Sequence, residues 1–133
     1  MRFAFLALWI AFTTLNADYV RQSIDQKLLD SKIKIIDIRT PSEWRETGII
    51  KGSIPIMFFD EQGNYDLEKF ITQLNTKVKK GEKFALICRT GSRTQVVGSH
   101  LGKQMGYNVI DLQGGILYAI DKKFPIQPYK SNP

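Results

Sequence analysis

The chain of 133 residues is poor in cysteine and histidine, with one residue of each. A single cysteine excludes an intramolecular disulfide, and one cysteine with one histidine cannot supply the ligands of a zinc cluster. The sequence also lacks internal repeats and low-complexity tracts, while hydrophobic residues make up 43% of it. These features predict one globular domain with one core, no metal site and no cofactor.

Basic residues outnumber acidic ones, and the formal net charge is +6. The basic residues are nevertheless interleaved with Asp and Glu and form no arm or stripe, so nucleic-acid binding is not expected. A basic surface of this kind suits a small anionic substrate as partner.

The N-terminus has the features of an export signal. Arg2 precedes an apolar run at residues 3–12, and a short stretch then ends at Ala17. Such a run reaches only about 15 Å as a helix, about half of a bilayer core. We expect cleavage near Ala17 and a periplasmic or secreted protein without a membrane span; because Leu15 is large for its position, an uncleaved anchor is the alternative. The predicted division is a signal at 1–17, a domain at 18–127 and a tail at 128–133.

Strands and helices are predicted to alternate along the domain. Apolar and β-branched runs predict strands at residues 34–38, 53–57, 84–87 and 108–112. Pro55 confines the second of these to a sheet edge, and the apolar run at 84–87 indicates a central parallel strand. The order predicts an α/β sandwich around a mostly parallel sheet, with reactive groups at the carboxyl ends of strands.

Helix starts are indicated by capping signals and helical spacing. Ser23 with Gln26, and Thr40 with Glu43, have the pattern of capping boxes, and the second helix is expected to end near Gly48. Apolar residues at helical spacing predict helices at 67–78 and 97–105, and a last short helix is predicted at 116–122. The tail from residue 125 is expected to be extended.

The lone cysteine, Cys88, follows the predicted central strand directly and begins a polar loop. The loop continues with Arg89, Thr90, Gly91, Ser92 and Arg93. A turn between a strand end and a helix start aims backbone N–H groups at one point, and Gly91 permits a positive φ there. Together with the two arginines, this arrangement favours a thiolate and can hold a sulfane sulfur or an oxyanion.

An inert role for Cys88 is the alternative, because buried free cysteines are common in cores. The polar residues after it are better suited to lining the mouth of a site. Trp44 is expected to be a core or rim aromatic, and His100 a surface residue with no catalytic role.

Four segments, in order, resemble the signature motifs of the single-domain rhodaneses: residues 37–44, 48–55, 88–93 and 112–116. The resemblance runs from about residue 19 to residue 125. It implies a three-layer α/β sandwich with a five-stranded, mostly parallel sheet and helices on both faces. It also implies that Cys88 takes the outer sulfur of thiosulfate as a persulfide and passes it to cyanide or a thiol. Residues 89–93 would bind the substrate, while Asp37, Arg39 and Glu43 would form a polar lattice that supports the site, with a contact between Arg39 and Glu43 across the helix start.

The chain departs from the family pattern at two positions. Ile49 stands where family members often have His, and Ala119 where they often have an aromatic residue, a gap that Tyr118 can partly fill. These departures bear on local packing and substrate preference.

Three other functions are alternatives to the transfer of sulfur from thiosulfate. A Cys-based phosphatase or arsenate reductase needs five residues between its cysteine and arginine, whereas Cys88 and Arg93 are separated by four. A periplasmic sulfur carrier would form the same persulfide but exchange sulfur with a protein partner. A rhodanese-like binding module would act through a protein partner without catalysis, although such modules typically lack the cysteine.

Overall fold

The computed structural model describes residues 17–131. Its strands are β1 (Asp18–Ser23), β2 (Lys34–Asp37), β3 (Ile49–Ile50), β4 (Ile54–Pro55), β5 (Lys83–Ile87), β6 (Asn108–Gln113) and β7 (Ile126–Gln127). Its helices are α1 (Gln26–Asp30), α2 (Pro41–Thr47), α3 (Leu67–Asn75), α4 (Ser92–Gln104) and α5 (Gly115–Asp121). The signal predicted at 1–17 lies outside the described residues except for its last residue, Ala17.

The main sheet has five strands in the order β1-β6-β5-β2-β4. Every neighbouring pair is parallel. The order places β5 at the centre of the sheet, and it places β4, which contains Pro55, at an edge, as predicted. β3 and β7 form a separate antiparallel pair. The carboxyl end of β5 is therefore flanked by strands on both sides, which makes it a protected place for a reactive loop.

Helices cover both faces of the sheet. Alternate residues along a strand point to opposite faces, so the central strand contributes side chains to two separate buried clusters. One buried cluster joins Leu86 of β5 to side chains of α3 and α4, including Phe70 and Leu101. The other cluster joins Ala85 of β5 to side chains of α1 and α5, including Ile116. These contacts confirm the predicted three-layer α/β sandwich.

The first strand was not expected from the sequence. All six residues of β1 are at least partly exposed, so it has no buried alternation that would identify it. The capping box predicted at Ser23 is wrong, because Ser23 ends β1. Asp25 is the N-cap of α1 instead, and its carboxylate accepts a hydrogen bond from the N–H of Leu28 at 2.8 Å.

Other boundaries follow the local signals closely. The capping box of Thr40 and Glu43 is present, and α2 ends before Gly48, as predicted. The strand predicted at 53–57 is limited to β4, since Pro55 cannot donate to a ladder. The tail, predicted to be extended from residue 125, also forms a strand: β7 pairs with β3, and Gln127 lies opposite the buried Ile49.

The remaining helices differ from prediction only at their ends. Val78 is buried but lies beyond α3, α4 ends before Met105, and α5 begins at Gly115. Within residues 17–131, no helix is both long and apolar enough to cross a bilayer.

Candidate active site

Cys88 lies at the carboxyl end of the central strand β5, where the sequence placed it. The loop after it leads into α4, and Gly91 is the N-cap of that helix with φ +100°, the positive value expected for it. The N–H of Gly91 donates to Cys88 Sγ at 3.2 Å, and Thr94 Oγ1 lies 3.6 Å from the same sulfur. In the described part of the chain, Gly91 supplies the only main-chain N–H bonded to Sγ, fewer than the cradle predicted.

The cysteine is buried, with 0% of its surface exposed. Its side chain belongs to the core cluster that includes Phe58 and Val97. Burial is what an inert core cysteine would show, and the sulfur does not face an open mouth. However, its two polar contacts are not those of a core thiol, and the exposed Thr90 and Ser92 lie on the outer side of the loop.

The glycine turn at residues 114–115 leads into α5, and the first amides of α5 donate hydrogen bonds to the cysteine loop. The N–H of Ile116 donates to the carbonyl of Cys88 at 2.8 Å, and the N–H of Leu117 donates to the carbonyl of Arg89 at 3.2 Å. Gly115 has φ +59°, and a Cβ built on it would overlap these carbonyl groups. The sequence motif was recognised, but its contact with the cysteine loop was not predicted, because that contact joins distant segments.

Arg93, at the end of the loop, forms a bidentate ion pair with Glu43 of α2. Its Nη1 and Nη2 lie 2.8 and 2.6 Å from the two carboxylate oxygens. These hydrogen bonds, with help from the N–H of Thr40, lower the pKa of Glu43 from 4.5 to about 2. The same pair raises the pKa of Arg93 above its ordinary value. Arg93 thus ties the loop to α2 across 50 positions of sequence.

The side-chain contact expected between Arg39 and Glu43 is absent from the described residues. Arg39 reaches only the main-chain carbonyl of Glu43, at 3.4 Å. Its guanidinium instead binds Asp37 through Nε and Nη2, at 3.0 and 2.8 Å, with both side chains fully buried. Asp37 also accepts from Trp44 Nε1 at 3.0 Å, and Arg39 donates to the carbonyl of Gly48 at 2.9 Å. This lattice joins the end of β2 to α2 without the Glu43 side chain, and it places Trp44 in the core.

Asp111 of β6 is a buried carboxylate that sequence reasoning missed. It accepts a short hydrogen bond from Thr94 Oγ1 and another from the Tyr19 hydroxyl at 2.7 Å. Its Oδ2 also lies 2.9 Å from Arg21 Nε. Burial, together with the hydrogen bond to Asp111, raises the pKa of Tyr19 to about 12. The one sequence signal for this network is a charged residue within an apolar strand.

The outer side of the site is basic and open to solvent. Arg89 is partly exposed, and its Nη1 is 4.0 Å from the exposed Glu46, a distance at which an ion pair contributes little. His100 lies on the exposed side of α4, as expected. Within the described residues, no group of three or more His, Cys, Asp or Glu side chains is placed to hold a metal ion.

The fold and the site together define a class of single-domain α/β proteins whose cysteine loop joins a central parallel strand to a helix. Residues 16–118 match the family model described as the rhodanese-like domain. The chain belongs to the rhodanese-like family, as its motifs indicated.

Two curated relatives come from Arabidopsis thaliana. Rhodanese-like domain-containing protein 17 is 25% identical over 93% of this chain and 88% of its own length. Thiosulfate sulfurtransferase 18 is 27% identical over 80% of each chain. Among solved structures, the polysulfide-sulfur transferase homodimer of Wolinella succinogenes has a TM-score of 0.64 and 21% identity, over 87% of this chain and 83% of its own. The last similarity shows the fold, and the family as a whole supports a sulfurtransferase type of activity.

Proposed function

We propose that the protein transfers a sulfane sulfur from thiosulfate, or a similar anionic donor, to a thiophilic acceptor through a persulfide on Cys88. The observation that supports this most is the polar environment of Sγ at the end of the central strand. A main-chain N–H points at the sulfur, and the loop that carries it also carries two arginines. A persulfide anion at this position would accept the same hydrogen bond.

The first half-reaction is a displacement at sulfur. The Cys88 thiolate attacks the outer sulfur of thiosulfate, the sulfur–sulfur bond of the donor breaks, and sulfite leaves with the bonding electron pair. In the second half-reaction, cyanide or a thiolate attacks the terminal sulfur of the persulfide. The new sulfur–sulfur bond then breaks, and its electrons restore the Cys88 thiolate. Cys88 returns to its starting state over the cycle, and no oxidant or reductant is needed besides the donor and the acceptor.

Access to the sulfur requires movement of the loop, because Cys88 has no exposed surface. The main chain of Cys88 and Arg89 is held by the amides of α5. Thr90 and Ser92 are exposed and lie between that anchor and the Arg93–Glu43 ion pair. We therefore assign the opening movement to residues 90–92, which form the outer half of the loop.

A phosphatase is less well supported. The positive charge of Arg93, which an oxyanion would need, is already paired with the Glu43 carboxylate through both Nη atoms. The loop also has one residue fewer between Cys88 and Arg93 than such enzymes require.

Intact-mass spectrometry after incubation with thiosulfate tests the proposal. We expect the protein to gain the mass of one sulfur atom, to lose it on addition of cyanide, and to release thiocyanate. Cys88→Ser should gain nothing while keeping its unfolding transition, since the change is nearly isosteric. A wild-type protein that stays unmodified would refute the assignment. Persulfide formation without thiocyanate release would instead indicate a carrier that acts with a protein partner.

We also propose export, with removal of the apolar N-terminus near Ala17, which leaves a periplasmic or secreted domain. The support is the signal-like sequence of residues 1–17. The same mass spectrum of protein from its native host reports the N-terminus: a chain that begins near Asp18 agrees with cleavage, whereas one that keeps Met1 contradicts it.

A further inference from the structure

Two of the arginines near the site, Arg39 and Arg93, are held by carboxylates of the protein. The guanidinium of Arg39 is fully buried against Asp37, and that of Arg93 is occupied by Glu43. Arg89 lies at the solvent-exposed side, near Glu46. A donor such as thiosulfate nevertheless needs a partner for its charged oxygens near the sulfur that is attacked.

Arg21 of β1 supplies a further guanidinium, on the opposite side of the loop residue Gly91 from α2. Its Nε lies 2.9 Å from Asp111 Oδ2, and Arg21 is the direct cross-strand neighbour of Asp111. In the described part of the chain, neither Nη atom has a hydrogen-bond partner, and 35% of the side chain is exposed. An arginine bound only through Nε presents the rest of its planar fork to a ligand.

The guanidinium of Arg21 lies over the cysteine loop. A methyl group built on Gly91 would be 3.7 Å from Arg21 Nη2. Gly91 is also the residue whose N–H donates to Cys88 Sγ at 3.2 Å. Arg21 and the sulfur of Cys88 therefore both lie close to Gly91, which brings a positive charge to the edge of the site.

The surface beside Arg21 has room for an anion. An open groove of about 510 Å³ is lined by Arg21, Lys103 and neutral residues of α4 and β1, such as Gln95 and Ser99. The residues that line it include no Asp or Glu. Because Asp111 lies beneath Arg21 and is already bonded to Tyr19 and Thr94, the groove presents positive charge to solvent.

We propose that Arg21 binds the oxyanion end of the sulfur donor, and that Asp111 positions Arg21 for this task. This inference rests on the proposed sulfur transfer and names a substrate-binding residue for it. Asp111 also accepts from Thr94, which contacts Sγ, so one carboxylate fixes both the binding cation and a neighbour of the sulfur. The anionic oxygens pair with the Nη groups of Arg21 while the outer sulfur of the donor approaches Cys88.

Steady-state kinetics with thiosulfate and cyanide test this role, with Arg21→Gln as the main variant. Arg45 is an exposed residue of α2 with no ion pair or hydrogen bond from its side chain in the described part of the chain, so Arg45→Gln makes the same change in net charge without removing a contact of the loop. For Arg21→Gln we expect KM for thiosulfate to rise about tenfold, the factor that corresponds to 1.4 kcal/mol, with little change in kcat. Arg21→Lys, which keeps the charge but not the fork, should recover part of the loss. Arg45→Gln should behave like the wild type.

The positioning role of Asp111 is tested in the same assay. Asp111→Asn should raise KM for thiosulfate through Arg21, whereas its effect through Thr94 should be on kcat. KM in the double variant with Arg21→Gln should therefore be no higher than in Arg21→Gln alone, because for donor binding both changes remove one interaction. Additive effects would contradict the positioning role. If the wild type forms the persulfide but Arg21→Gln matches Arg45→Gln, this inference fails and the proposed function stands. If the wild type forms no persulfide, the proposed function fails and the inference fails with it.

Discussion

Replacement of Gly115 by alanine tests how the cysteine loop is held. Gly115 is the first residue of α5 and has φ +59°, in the left-handed region that disfavours a side chain. A Cβ built there would lie 2.5 Å from the carbonyl oxygen of Cys88 and against the carbonyl group of Arg89. These atoms are main chain, so they cannot move aside without moving the loop.

The expected cost follows from two separate effects. The left-handed conformation costs an alanine about 1–2 kcal/mol. Overpacking against fixed atoms typically costs about 1–3 kcal/mol more. The sum, about 2–5 kcal/mol, is a large part of the roughly 5–15 kcal/mol that stabilises a domain. The variant should therefore fold marginally, with the Cys88 loop displaced.

Gly63→Ala is the matched control. Gly63 has φ +81°, and a Cβ built on it meets no atom within 4 Å, so only the conformational cost of about 1–2 kcal/mol applies. Free energies of unfolding from urea titration give the difference between the variants, and intact mass after thiosulfate gives the rate of persulfide formation. Equal destabilisation, with equal persulfide rates, would refute the idea that the glycine turn positions the loop.

Two further predictions concern the ion pairs around the loop. Arg39→Met leaves the Asp37 carboxylate buried without its partner and should lower the free energy of unfolding by about 3–5 kcal/mol. Adding Asp37→Asn should restore part of this free energy. A decrease near zero for Arg39→Met, measured by urea titration, would contradict the prediction. Because the folded pKa of Glu43, about 2, lies below its ordinary 4.5, its stabilising contribution is present above pH 4.5 and is lost as pH falls toward 2. Glu43→Gln should accordingly be less stable near neutral pH and lose less stability over that range; parallel curves of unfolding free energy against pH would count against the pair.

The parts of the fold that the sequence predicted are those with local signals. Thr40 and Glu43 are three positions apart and bond each other within one helical turn, so their residue types suffice. The apolar run from Phe84 to Ile87 is buried on both faces of the sheet, and a continuous hydrophobic segment indicates this directly. Gly91 follows from the same logic, because a tight turn before a helix favours a positive φ.

The parts that were missed depend on pairing between distant segments. β1 is an exposed edge strand, and its pairing with β6 joins residues about 90 positions apart, with no hydrophobic pattern to mark it. Glu43 was assigned to Arg39, its neighbour in sequence, although the better-placed partner is Arg93. Arg39 and Arg93 were both possible partners of the Glu43 carboxylate. Because the buried carboxylate of Asp37 binds the guanidinium of Arg39, Glu43 pairs with Arg93.

The contacts of the loop also explain how a buried sulfur can be reactive. The cysteine is held on three sides: β5 carries it, α5 binds its carbonyl, and the Arg93–Glu43 pair anchors the far end of the loop. These contacts fix the main chain at both ends, and the opening proposed for residues 90–92 would be confined to the short segment between them. Arg21 lies beside Gly91 at the edge of that segment. Under the proposed mechanism, an anion that binds Arg21 would arrive at the part of the loop that opens, and its binding would favour exposure of the sulfur only if it binds the open form more tightly.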